Sequence, residues 1–212
     1  MRSRAAAATL SSAGFKEVYS MQGGIRAWKG LVAEGAPQSG MAYFSSATKA
    51  EELIALAWWL EDGSRQFYSD LAAVVGDQEA KNLFEDLTAA EENHQTSLLK
   101  LYQDLSGLTS KSGFPGSVMS PEREGAVMEG GIGVSEAIEW AKGKSVAEIL
   151  EFSLSSEANS YDLYVKMQRQ TKDQRSAQVF HLLSGEEKQH LERLSALLEK
   201  RIKRASPISP QT

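Results

Sequence analysis

The 212 residues suffice for one or two domains with a real core, so the chain need not borrow stability from covalent staples. A net charge of −5, with Lys and Arg interleaved among Asp and Glu, argues against a nucleic-acid surface, which needs clustered cations. The absence of cysteine excludes disulfides, thiolate metal sites and thiol nucleophiles, and fits a reducing, cytoplasmic setting.

Residues 1–40 are rich in Ala and Gly and end in GAPQSG, a linker composition. From Thr48 to Val75 and from Asp77 to Leu105, apolar residues recur at steps of three and four, which predicts two amphipathic helices. Thr48-x-x-Glu51 has the form of a capping box for the first, and Gly76-Asp77 turns the pair into an antiparallel hairpin. The longest strongly apolar run, Leu53 to Leu60, is too short to cross a bilayer, and no membrane partner is expected. A Ser/Gly/Pro-rich stretch from Ser106 to Gly133 comes next, closed by a short helix, VSEAIEWAKG. Ser145-x-x-Glu148 is a second capping box, opening a helix to Arg169, and a last helix runs from Asp173 to Lys203 before a flexible tail at 206–212. Two helical hairpins joined by a long crossover predict an all-α, ferritin-like four-helix bundle over residues 41–205.

An internal repeat supports the division. An offset of 96 residues lays Glu61 on Glu157, Tyr68 on Tyr164, Phe84 on Phe180, Leu87 on Leu183, Glu91 on Glu187, His94 on His190 and Leu98 on Leu194. On the second helix Phe84, Leu87, Glu91, His94 and Leu98 share one face, so Glu91 and His94 stand in an apolar stripe that points inward. Residues three apart on a helix are close enough to ligate one ion. The fourth helix repeats the frame with Glu187 and His190, and Glu61 and Glu157 lie on the inward stripes of the first and third helices.

Four ionised carboxylates in a core cost several kcal/mol each by desolvation, and their repulsion adds to that. Two divalent cations neutralise four carboxylates while both imidazoles stay neutral. One Glu from each of two helices and Glu-x-x-His from each of the other two is the ligand pattern of di-iron and di-manganese carboxylate centres. The candidate ligands are Glu61, Glu91, His94, Glu157, Glu187 and His190, with Tyr68 and Tyr164 placed to donate hydrogen bonds to the carboxylates. Two irons are expected, with manganese or zinc as alternatives. Glu92 and Glu186 are read as solvated, His181 as structural, and Trp58 and Trp59 as packing or subunit-interface residues.

These motifs, Glu61-x5-Phe67-Tyr68, Phe84-x2-Leu87-x3-Glu91-x2-His94 and their copies at Glu157 to Tyr164 and Phe180 to His190, resemble those of rubrerythrin-type di-iron proteins. The resemblance implies that Glu61, Glu157, His94 and His190 are terminal ligands and that Glu91 and Glu187 bridge. It implies an oxidoreductase that reduces hydrogen peroxide or dioxygen, as a homodimer. Two departures stand out: no cysteine-rich electron-delivery module is present, so an external donor such as rubredoxin or a flavoprotein reductase is expected, and Ser160 occupies the place of a further carboxylate. Iron oxidation, storage or handling, and oxidant sensing linked to sulfur metabolism, are the alternatives. Glu92 stands where bacterioferritins place a haem-binding methionine, which counts against a haem-bearing storage cage.

Residues 2–34, which include RSRAAAATLSSAGFKEVYSMQGGIRAWKG, resemble the C-terminal end of a rhodanese domain. That implies a small α/β remnant rather than a targeting peptide. The family's catalytic cysteine would lie before Met1, so no sulfur transfer is expected of this chain.

Overall fold

The computed structural model of the chain describes residues 49–107, 113–119, 125–128 and 131–205. All lie in one compact unit, Ser39–Thr212, and are mostly helical. The predicted rhodanese remnant and the tail at 206–212 lie outside the described residues.

Helix α1 spans Ala50–Val74 and α2 spans Gln78–Ser106. After the crossover, a two-residue ribbon pairs β1 (Val127–Met128) antiparallel with β2 (Ile132–Gly133), Val127 opposite Gly133. Then come α3 (Val134–Ala141), α4 (Val146–Gln170) and α5 (Gln174–Ala205). Helix α1 packs along α2 and α4 along α5, and the hairpins meet partly through α2 and α5. The predicted bundle is present, and the crossover adds a ribbon that its Gly/Ser/Pro composition did not announce.

Local chemistry sets the helix ends. The Ser145 hydroxyl accepts from Glu148 N at 3.2 Å while the Glu148 carboxylate accepts from Ser145 N at 3.0 Å, the predicted reciprocal cap. At α1 the frame sits one residue later than predicted: the Glu52 carboxylate accepts from Lys49 N at 3.2 Å, and Thr48 lies outside the described residues. Asp77 accepts from Ala80 N at 2.9 Å and its repeat partner Asp173 accepts from Ser176 N at 2.6 Å, so α2 and α5 begin alike. Gly107, at φ 70°, closes α2 in the left-handed region that glycine enters without penalty.

The core falls into two clusters. One gathers Tyr68, Phe84 and Leu87 with Ile149 and Leu194; the other gathers Tyr164, Phe180 and Leu183 with Leu53 and Leu98. The 96-residue offset exchanges these residues one for one, so the clusters are copies related by the repeat. Ring pairs repeat too, with Tyr68 stacked on Phe84 at 6.0 Å and Tyr164 on Phe180 at 6.2 Å.

Helix α1 meets the ribbon at Gly63. A Cβ there would run into the Val127 carbonyl and stand 2.8 Å from Met128 N, both backbone atoms that cannot swing aside. Gly63→Ala is therefore expected to destabilise by about 1–3 kcal/mol despite alanine's better helix propensity, because overpacking costs more than propensity returns. Urea denaturation checks this; an unchanged midpoint would show that the ribbon yields freely.

Candidate metal centre

Eight polar residues form the layer associated with the two apolar clusters: Glu61 and Ser64 from α1, Glu91 and His94 from α2, Glu157 and Ser160 from α4, and Glu187 and His190 from α5. The six carboxylate and imidazole residues are each 4% exposed or less. Each of the four long helices delivers its ligand candidates from the apolar stripe read in the sequence.

The atoms converge on two overlapping positions. Glu61, Glu91, His94 and Glu187 bring one donor atom each within 4.8 Å of one another, and so do Glu91, Glu157, Glu187 and His190. Glu91 and Glu187 belong to both. His94 Nδ1 lies 3.0 Å from Glu61 Oε2, 2.9 Å from Glu91 Oε2 and 3.3 Å from Glu187 Oε1. His190 Nδ1 lies 3.1 Å from Glu157 Oε2, 3.4 Å from Glu187 Oε2 and 3.7 Å from Glu91 Oε1. The two imidazoles stack at 5.4 Å with 19° between their planes.

The tyrosines act across the repeat. The Tyr68 hydroxyl donates to Glu157 Oε1 and the Tyr164 hydroxyl donates to Glu61 Oε1, so each hairpin holds the outer carboxylate of the other. The sequence placed each tyrosine beyond the glutamate of its own helix; the bond runs to the opposite one. Tyr68→Phe or Tyr164→Phe removes the donor to a buried carboxyl oxygen, and each is expected to lower stability by about 1–3 kcal/mol. Chemical denaturation of the metal-free protein measures the loss, and no change in either variant would mean that these bonds are replaced.

Electrostatics show what the cluster lacks. Burial raises Glu61 well above the carboxylate range, helped by the charge of Glu91, and burial raises Glu187, helped by Glu157, Glu91 and Glu61. Burial also works to raise Glu91, but hydrogen bonds with Glu61 and His94 and the charges of both histidines bring it down to about 2. Burial works to lower both imidazoles, and the surrounding carboxylates outweigh it: Glu61, Glu186 and Glu91 raise His94, and Glu157 and Glu91 raise His190. Glu91 Oε2 and both Glu187 oxygens are buried without a well-aligned hydrogen-bond donor, although His94 Nδ1 lies 2.9 Å from the first of them. Buried carboxylate oxygens with no well-aligned donor, shared between two groups of four ligands, fit a pair of divalent cations.

Glu186 is half-exposed, and the structure gives it a partner that the sequence reading did not. Its Oε2 lies 2.9 Å from His94 Nε2, and that hydrogen bond holds its carboxyl below the usual range. Glu186 leaves the inward stripe of α5, so the sequence directs it elsewhere; it reaches His94 on another helix, which only the packing of α5 on α2 reveals. Glu92 is exposed, as expected, and His181 is exposed and belongs to neither group of four. Trp58 and Trp59 pack edge to face at 5.6 Å, with Trp59 Nε1 donating to Met119 O at 3.0 Å.

A family model described as Rubrerythrin matches residues 34–102 and 148–211, which contain all six candidate ligands. The chain belongs to the rubrerythrin family. Among solved structures, a hypothetical protein from Pyrococcus furiosus superposes on this rubrerythrin-family chain with a TM-score of 0.55 at 23% identity, over 78% of this chain and 95% of its own, a likeness of fold. No curated protein matches the chain. Among the described residues no helix is long and apolar enough to cross a membrane.

Proposed function

We propose that the chain is a non-haem di-iron oxidoreductase of rubrerythrin type, reducing hydrogen peroxide or dioxygen with electrons from an external donor. The observation that carries this reading is the pair of carboxylates, Glu91 and Glu187, common to both groups of four ligands. Glu61 and His94 would hold one ion and Glu157 and His190 the other, with Glu91 and Glu187 available to both. A pair of irons supplies two electrons in one-electron steps, the number that converts peroxide and two protons to two waters.

The protein's own groups set the conditions. The apolar clusters keep bulk water from the centre, and the two tyrosine hydroxyls fix Glu61 and Glu157 while leaving Oε2 of each turned to its histidine. The reading takes its electrons from a donor outside these residues, rubredoxin or a flavoprotein reductase, and places the protein in the cytoplasm as a homodimer.

The test is metal analysis of protein purified without oxygen, followed by stopped-flow oxidation. About two irons per chain, oxidised much faster by peroxide than by dioxygen, is the expected result. Two irons oxidised by dioxygen at least as fast as by peroxide would favour iron handling, and no bound metal would remove the reading altogether.

A further inference from the structure

The repeat makes the two metal positions alike in their ligands, and the residues behind those ligands break the likeness. Behind His94, Glu186 Oε2 accepts from Nε2 at 2.9 Å. The offset that lays His94 on His190 lays Ala90 on Glu186, and alanine has no group to offer the other imidazole. Among the described residues the polar contacts of His190 all run through Nδ1. A second difference lies on the same side. Gln95, next to His94, donates from Nε2 to Asp62 Oδ1, next to Glu61, at 3.1 Å, tying α1 to α2 beside the ligands. The equivalent residues on α4 and α5 are Ala158 and Leu191, which cannot form that link.

A hydrogen bond accepted from the outer imidazole nitrogen does two things to a ligating histidine. It fixes the tautomer and the ring's rotation, so that the inner nitrogen presents its lone pair to the metal, and it makes that nitrogen more basic. Among the described residues His94 has this support and His190 does not. Freezing the ring beforehand also removes part of the ordering cost of binding.

We propose that Glu186 is a positioning residue that makes the two metal positions unequal, so that the one lined by Glu61, Glu91, His94 and Glu187 fills first and holds its ion more tightly. The inference rests on the two-metal reading of the site. It requires no change in the ligands themselves, since both positions have the same residue types.

The test uses manganese(II) binding to the metal-free full chain, followed by calorimetry. Wild-type protein is expected to take up two ions in two resolved steps. Glu186→Ala is expected to weaken the tighter step by about 10–100-fold, the usual effect of removing a partner of a ligating histidine, and to leave the weaker step in place. Glu186→Gln keeps the volume and an accepting oxygen but not the charge, and is expected to restore only part of the loss, whereas a purely steric role predicts full restoration. Ala90→Glu offers the missing partner to His190 and is expected to tighten the weaker step. Single-site backgrounds assign the steps: Glu186→Ala should weaken the ion retained in His190→Ala protein and not the one retained in His94→Ala protein. Two ions bound with equal affinity, or an equal loss at both steps on Glu186→Ala, would overturn the proposal while leaving the two-metal reading intact. Failure of wild-type protein to bind two ions of manganese or iron would instead overturn the two-metal reading.

Discussion

Replacing Glu91 and Glu187 together by Gln is expected to abolish binding at both metal positions while leaving the metal-free bundle folded. The two residues contribute to both groups of four ligands, so neither position survives their loss. Each substitution keeps the side-chain volume and removes a buried carboxylate whose oxygens go largely without donors. Glu187 is already held toward its neutral form, and the charge lost with Glu91 is offset in part by one fewer buried carboxylate to desolvate, so the two apolar clusters keep the bundle folded. Metal analysis and guanidinium denaturation read the two effects independently. Retention of two ions would show that the metal lies elsewhere, and collapse of the metal-free fold would show that the carboxylates stabilise the bundle through bonds to its own groups.

The second expectation concerns pH. In the metal-free protein Glu61 and Glu187 stay protonated above their ordinary value of 4.5, and His94 and His190 stay protonated above 6.5. The folded state therefore binds more protons than the unfolded chain as pH rises past those values. Stability that depends on these protons is complete below pH 4.5 for the carboxyls and 6.5 for the imidazoles, and is lost as pH climbs toward the raised folded values. Glu91 has the opposite sign: lowered to about 2, it contributes stability above 4.5 that is lost as pH falls through that interval. The metal-free protein should thus show its highest Tm in mildly acidic solution and a falling Tm between about pH 5 and pH 8, the span over which unfolded carboxyls and imidazoles give up their protons. Metal ions displace the same protons, so manganese affinity should rise over that range and the loaded protein's Tm should not fall with it. Calorimetric scans with and without manganese decide the matter. A metal-free Tm that climbs toward about pH 8 would contradict the assignment.

Much of this was legible in the sequence. Phe84, Leu87, Glu91, His94 and Leu98 stand at helical spacing, and a glutamate and histidine on an apolar face have few reasons to be there except a shared ion. The repeat doubled that signal and fixed the hairpins, and the capping box at Ser145 placed the start of α4 to the residue. Three things escaped. The ribbon at β1 and β2 is two residues per strand, too short for alternation to show, and its only mark is Gly63 on the helix it touches. The tyrosine bonds cross between hairpins, and Glu186 reaches a histidine on a different helix; periodicity reports which face a residue occupies and not what the neighbouring helix brings to it.

The crossed tyrosines also bear on how such a chain can change. One hairpin carries half a ligand set and a phenol whose acceptor sits on the other hairpin, so neither half can satisfy its own polar groups alone. Two identical hairpins associating as separate molecules could build the same interior, but any substitution in one would appear in both. Joined in a single chain, the copies are free to drift apart, with Glu186 against Ala90 and Asp62 against Ala158, while the six central residues are held in common. Covalent fusion turns an enforced symmetry into a choice made position by position, and a ligand cluster whose two halves need not behave alike is one outcome that fusion permits.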